Sequence, residues 1–314
     1  MKGRSSPGLP EVLSKTSSSP IFSSSSLSPP FSIVILIFTL IVGAVLVSLV
    51  GRNFFSDGNI RDILTGMSVL GLVAIGQTLV ILGGSLDLSV GYVVSLSSLV
   101  GAITMGGNAA NIPLAVLATL GVCVLVGLVN GVLVSVVKVN GFIATLGTGL
   151  IISGYLATTF KGTAGSAPWE FQVIGATGIG PVPISTVIML ALAALIWFLL
   201  SRTRTGAHLY AVGGDHEVSR LSGVRTQPPM IVAHVFCSIF AGLAGLLLAS
   251  RSGVGNPLVG EQGGYALLSI AAVVLGGTLL MGGRGSVWGT IGGVAILAVL
   301  DNVMSVTNVT PFAK

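Results

Sequence analysis

The feature that most constrains this chain is a succession of nine long apolar segments, separated by short polar stretches. A helix of about 20 residues crosses the roughly 30 Å hydrocarbon core of a bilayer. Barrel strands alternate polar and apolar residues, whereas these runs are continuously apolar. The segments are residues 31–50, 63–82, 88–105, 112–137, 142–160, 182–200, 230–248, 265–281 and 287–303. The predicted fold is therefore an all-α polytopic membrane protein with about nine transmembrane helices.

Composition supports a membrane protein and argues against a soluble domain or a nucleic-acid-binding protein. Charged residues make up 7% of the 314 residues, whereas a soluble domain has about a quarter. A net charge of +5 reflects the basic residues that orient membrane helices, so it does not indicate nucleic-acid binding. Cys123 and Cys237 both lie inside apolar segments, which predicts small packing residues and no disulfide.

The 45 glycines are consistent with close helix packing in lipid, where small residues let backbones approach. Three pairs have a four-residue spacing, namely Gly127/Gly131, Gly285/Gly289 and Gly289/Gly293. Such spacings also arise by chance in a glycine-rich chain, so the sequence leaves both explanations open.

Two regions are predicted from the distribution of polar residues. Residues 1–30 contain eleven serines and five prolines, which is typical of a disordered tail. Residues 31–314 form the transmembrane domain, and its one long polar loop covers residues 202–227. With the basic tail in the cytoplasm, six crossings return this loop to the cytoplasm. Nine basic residues then lie inside and five outside, as the positive-inside rule requires.

Capping residues predict a helix of about two turns within this loop. Gly213 and Gly214 allow a sharp turn, and Asp215 is a suitable N-cap. Glu217 then lies in the first turn and Arg220 near the end, as the helix dipole favours.

The end of this helix and its outer face follow from the next residues. Ser222-Gly223 fits a C-terminal stop. Val218 and Leu221 share one face, which suits docking into a cleft of a partner. The alternative from the residues alone is an interfacial loop whose arginines only set the topology.

Three ordered stretches give the chain a family resemblance. Residues 204–224, 76–91 and 270–286 resemble, respectively, the coupling loop, the junction of the second and third helices, and the C-terminal signature of ATP-binding-cassette sugar permeases. The ribose, xylose, galactose and autoinducer-2 importers belong to this family, and branched-chain amino acid permeases are related. The resemblance implies that eight residues couple the chain to an ATPase: Gly213, Gly214, Asp215, Glu217, Arg220, Leu221, Ser222 and Gly223.

The resemblance also implies the function and the partners. It implies a permease domain that moves a monosaccharide-type solute across the bacterial inner membrane and catalyses no reaction itself. A separate cytoplasmic ATPase binds ATP, so no cofactor is expected in this chain. A periplasmic or lipid-anchored sugar-binding protein and a second permease subunit, identical or not, complete the importer, and membrane lipid surrounds it.

The chain departs from the family pattern in two places. The family often has acidic residues just before the motif at residue 270, where Ala266, Leu268 and Ser269 stand here. The family also has about ten membrane helices, so one last span is expected to be missing after residue 303.

Two alternative functions remain at this point, a branched-chain amino acid permease and an ion-coupled secondary transporter. The chain has no phosphate-binding loop motif.

A few polar residues fall in or beside the apolar segments. Gln77, Asp87 and Asn130 are predicted to line a translocation path, because intramembrane polar groups usually face a cavity or a partner. For Asp87 the alternative is an N-cap of the third helix at the membrane interface. His234 is expected to be a packed, hydrogen-bonded residue, while Asp301 either needs a partner or meets water.

Overall fold

A computed structural model describes residues 29–49 and 53–307. The predicted tail, residues 1–30, lies almost entirely outside the described residues. The helices are α1 (Pro29–Leu49), α2 (Asp57–Leu82), α3 (Val90–Met105), α4 (Ile112–Ser135), α5 (Gly141–Thr159), α6 (Trp169–Ala176), α7 (Ile184–Arg202), α8 (Arg204–Gly214), α9 (His216–Leu221), α10 (Gln227–Ser252), α11 (Val259–Gln262), α12 (Tyr265–Leu275) and α13 (Val287–Val306). A 3₁₀ turn (Ala109–Asn111) precedes α4, and strands β1 (Gly178–Ile179) and β2 (Val182–Pro183) form a small antiparallel hairpin.

The helical membrane fold is confirmed. In the described part of the chain, α2, α4, α5, α7, α10 and α13 are long and apolar enough to cross a bilayer. Three shorter apolar helices, residues 34–48, α3 and α12, account for the remaining predicted segments. The predicted segment 265–281 was too long, because α12 ends at Leu275. Gly277 has a positive φ, and its N–H donates back to Val274 O, so the chain turns out of the helix at this residue.

The polar loop contains more helix than the sequence predicted. Residues 204–214 form α8, which begins at the side-chain cap of Thr203. The expected sharp turn at Gly213-Gly214 was wrong, since both residues belong to α8 and neither has a positive φ. The turn lies at Asp215, whose backbone is extended at φ −159°. Any residue adopts that conformation, so the glycines have another role.

Helix α10 lies at the centre of the bundle and packs against α2, α3 and α4. Gly127 and Gly131 of α4 face its backbone, where a Cβ at Gly131 would lie 2.8 Å from Ile231 Cα. Gly289 and Gly293 of α13 press against α12 in the same way. The close-packing interpretation is confirmed for these two pairs, whereas Gly285 lies in the loop before α13. Both cysteines are free and buried, as expected.

Candidate functional site

The short helix α9 has the predicted caps. Asp215 is extended and its carboxylate accepts a hydrogen bond from Val218 N over 2.9 Å. Gly223 has a φ of +80°, the left-handed conformation that ends a helix and that glycine adopts without strain. Both ends of α9 are therefore satisfied by residues next to them in the sequence.

The outer surface of α9 is open. Val218 is 58% exposed and Leu221 is 77% exposed. Arg220 donates to Glu217 over 2.6 Å, and both side chains are largely exposed. An apolar pair beside a charged pair on one protruding helix is the pattern of a helix that binds in a groove of a partner.

Helix α8 attaches α9 to the bundle through close backbone contacts. Gly213 lies directly against the carbonyl oxygen of Leu82, the last residue of α2. The N–H of Gly283 donates to that same carbonyl over 3.0 Å. Gly84 and Gly282 complete the contact, and a Cβ on Gly282 would lie 2.8 Å from Gly213 O. Gly84, Gly213, Gly282 and Gly283 are called the glycine junction below.

A side-chain bond supports the glycine junction. The hydroxyl of Tyr210 on α8 donates to Gly285 O over 2.9 Å. Burial raises the pKa of Tyr210 above its ordinary value, so the phenol stays protonated and remains a donor. The three sequence stretches that carry the family resemblance therefore meet at one place in the fold.

A second polar group is buried between α2, α3, α4 and α10. The carboxylate of Asp87 accepts from Ser89 N over 2.9 Å and from Ser89 Oγ over 2.5 Å. Its other oxygen lies 3.2 Å from His234 Nδ1 and 3.4 Å from Asn130 Nδ2. All four side chains are inaccessible to solvent in a single copy of the chain.

The side chain of Gln77 forms hydrogen bonds with the backbone of Asp87. With its amide nitrogen toward the carbonyl, Gln77 donates to Asp87 O over 3.2 Å and accepts from Asp87 N over 3.2 Å. Asn130 also donates to Ser89 Oγ over 2.9 Å. Buried polar groups need such partners, because an unpaired one costs about 1–3 kcal/mol. Gln77, Asp87, Ser89, Asn130 and His234 are called the buried polar cluster below.

The buried polar cluster decides several of the sequence interpretations. The alternative that Asp87 is an N-cap at the membrane interface was wrong. Ser89 occupies the N-cap of α3, and Asp87 is buried. His234 is packed and hydrogen-bonded, as expected. Ser89 was missed, although its position two residues after an aspartate is typical of a turn that bonds its own backbone.

The remaining candidates are placed as follows. Asp301 is exposed on α13. The eight predicted coupling residues all lie within residues 213–223, at the end of α8, in α9 and in the turn after it. Gln77, Asp87 and Asn130 form a separate interior group. Residues 83–89 connect the glycine junction with the buried polar cluster, because Gly84 belongs to the junction and Asp87 to the cluster. No group of three or more potential metal ligands occurs among the described residues.

Comparison with known proteins identifies the family of this chain. Residues 59–312 match the family described as "Branched-chain amino acid transport system / permease component". The ribose import permease protein RbsC of Escherichia coli K12 is 36% identical over 280 residues, covering 87% of this chain and 86% of that protein.

Other relatives are similar over most of their length. RbsC of Bacillus subtilis is 34% identical, with 87% and 85% of the two chains covered. The fructose import permease protein FrcC of Rhizobium meliloti is 35% identical, with 86% and 76% covered. No solved structure matches the chain. The family matched over most of the chain, together with these relatives, shows that the protein belongs to the permease family of the ABC monosaccharide importers.

Proposed function

We propose that this chain is the membrane-spanning subunit of an ATP-driven sugar importer, and that α9 docks into a partner ATPase. The observation that carries the docking role is the open face of α9, with Val218 and Leu221 exposed beside the Glu217–Arg220 pair. The curated relatives support the sugar, since their names give ribose, allose, fructose and arabinose. These names do not favour the amino acid or ion-coupled alternatives.

The contacts of the coupling residues support a proposed role for each of them. Asp215 is the N-cap of α9 and Ser222 is its C-cap, after which Gly223 turns the chain away. Leu221 supplies the most exposed apolar surface of α9. Glu217 and Arg220 present opposite charges to the partner.

The two glycines at the end of α8 differ in environment. Gly213 presses against α2, whereas a Cβ at Gly214 would meet nothing within 4 Å. In this proposal, Gly213 carries movement into the membrane domain and Gly214 leaves room for the partner beside α9.

Movement of α9 would reach the membrane domain through the glycine junction. Helix α8 has no side chain at Gly213 to yield, so its backbone presses on the end of α2 and on the loop between α12 and α13. Closure of the ATPase would then tilt α2 and α13, which pack against each other. Rigid-body tilting of helices is the expected form of an alternating-access transition.

Gln77, Asp87 and Asn130 retain their predicted place near a translocation path as a proposal. Their hydrogen bonds to one another support a positioning role first, because they fix residues 83–89 beside the glycine junction. A solute would reach them only if the bundle opened, since they are buried in a single copy of the chain.

The remaining parts of the proposal concern orientation and partners. The N-terminus and α9 face the cytoplasm, the ATP is bound by the partner, and a second permease subunit and a binding protein complete the importer. Gly214→Cys tests the orientation, because a Cβ there meets nothing within 4 Å. A membrane-impermeant thiol reagent should modify this residue only from the cytoplasmic face.

A single substitution on α9 tests the docking role. Leu221→Asp should abolish co-purification of the ATPase, because a carboxylate would replace the most exposed apolar group of the docking face. Ile179→Asp is a matched control, since Ile179 is 79% exposed. It lies on β1, near the start of α7, whereas α8 and α9 follow the other end of α7. The proposal fails if Leu221→Asp retains the ATPase as the wild-type chain does, or if both variants lose it equally.

A further inference from the structure

Two cavities adjoin each other where α7, α8 and α10 meet. The first has a volume of about 380 Å³ and opens to the surface beside His208 and Arg225. The second has a volume of about 230 Å³ and lies among apolar side chains of α7 and α10, including Ile196, Leu199 and Phe236. Thr205, Pro229 and Val232 line both. The two cavities therefore form one groove with a polar end and an apolar end.

The polar end carries unneutralised positive charge. Arg225 is exposed, and among the described residues it makes no ion pair. His208 is half-buried beside it, and no carboxylate is among the described residues that line either cavity. Such an end favours an anion, and the hydroxyl of Thr205 adds a hydrogen-bond donor.

The apolar end follows the membrane. It runs along α7 from Thr203 to Ile196, which is about 10 Å at 1.5 Å per residue. Arg225 lies just before α10 begins, so the charged end lies at the level where α7 and α10 leave the bilayer. At about 30 Å³ for each water-sized group, the apolar cavity holds roughly eight such groups, which is part of an acyl chain.

We infer that this groove binds one anionic phospholipid, with the phosphate at Arg225 and His208 and one acyl chain between α7 and α10. A soluble anion would use only the polar end. A zwitterionic lipid such as phosphatidylcholine would bring its choline cation close to Arg225, where no described carboxylate lines the cavity to offset the repulsion. Basic pockets between membrane helices at the membrane surface bind anionic headgroups for this reason. The lipid would lie beside α8, so its occupancy would stiffen the support of α9.

The experiment uses the purified full-length chain in detergent micelles and needs neither ATPase nor sugar. Native mass spectrometry measures the binding of added phosphatidylglycerol, with phosphatidylcholine and with glycerophosphoglycerol, which has no acyl chains, as separate arms. Because its outcome does not depend on transport, its failure is distinguishable from a failure of the proposed function. The wild-type chain should bind phosphatidylglycerol in preference to both other compounds.

Two pairs of variants separate the charge from the chain. Arg225→Gln should weaken binding of phosphatidylglycerol about fivefold, which corresponds to about 1 kcal/mol for one cation near the membrane surface, whereas Arg284→Gln should not. Val232→Trp should weaken it by narrowing both cavities, whereas Val187→Trp, at the other end of α7, should not.

Three results would overturn the inference. These are equal binding of phosphatidylcholine, equal binding of glycerophosphoglycerol, and unchanged binding by Arg225→Gln with its unfolding midpoint unaltered. Equal losses in each variant and its control would also count against the groove, because they would show a general effect of charge or bulk on lipid binding.

Discussion

The buried polar cluster and helix α9 differ in where their polar and apolar groups find partners. The buried polar cluster places a carboxylate, an imidazole and two amides inside the bundle, where each oxygen of Asp87 has protein partners. Helix α9 instead leaves apolar side chains and an ion pair in the open and, among the described residues, its hydrogen bonds all lie within residues 215–224. Burial demands partners within the chain, because water is absent there. Exposed apolar surface on a capped helix indicates that the partner comes from outside.

The comparison also separates the consequences of mutation. A change in the buried polar cluster leaves donors without acceptors and should reduce the stability of the whole chain. A change on α9 should leave stability unaltered and affect assembly or coupling. The glycine junction lies between the two and should show both effects.

The largest expected effect is at Asp87. Asp87→Leu would leave His234 Nδ1 and both donors of Ser89 without their acceptor, and should lower the free energy of unfolding by about 3 kcal/mol or more. Glu217→Leu, which removes an exposed carboxylate, should change it by less than about 0.5 kcal/mol. Unfolding of both variants in detergent micelles provides the measurement. Equal effects would show that the buried polar cluster contributes little to stability.

An intermediate effect is expected at the glycine junction, where neighbouring glycines form a matched pair. A Cβ at Gly213 would overlap the carbonyl of Leu82, whereas a Cβ at Gly214 would meet nothing within 4 Å. Gly213→Ala should therefore cost about 1–3 kcal/mol, as overpacking does, and Gly214→Ala should cost nothing. The pair is compared by unfolding and by sugar-dependent ATPase activity of the assembled importer. If both behave as wild type, α8 yields at this contact and transmits little movement.

The smallest effect on stability is expected on α9. Glu217→Arg and Arg220→Glu should each change the free energy of unfolding by less than about 1 kcal/mol, because surface ion pairs contribute little. Each should nevertheless reduce transport, since the partner would meet the wrong charge.

The double variant Glu217→Arg with Arg220→Glu sharpens this result. It restores an ion pair within α9 but reverses the charge at both positions, so transport should stay low in a proteoliposome assay. Recovery of transport would show that the pair serves only to hold α9 together, and unchanged transport in all three variants would contradict a docking role for these charges.

The sequence by itself determined the features that depend on local chemistry or on the absence of water. Continuous apolar runs can only be membrane helices, because every backbone group must be satisfied within the segment. The caps of α9 could be predicted because Asp215 and Gly223 act within a few residues of their own positions. The family motifs gave the coupling loop its expected role, although they did not reveal α8, whose three glycines in eleven residues lower its helix propensity.

Only the tertiary structure decided which distant residues meet. Asp87, Asn130 and His234 come from three separate parts of the chain, and nothing local to any one of them specifies the other two. The contact of Gly282 and Gly283 with residues 84, 213 and 214 likewise joins parts of the chain that are far apart in sequence. Local propensity determines where a helix can form and end, whereas packing between helices determines which buried polar groups are satisfied and which backbones touch.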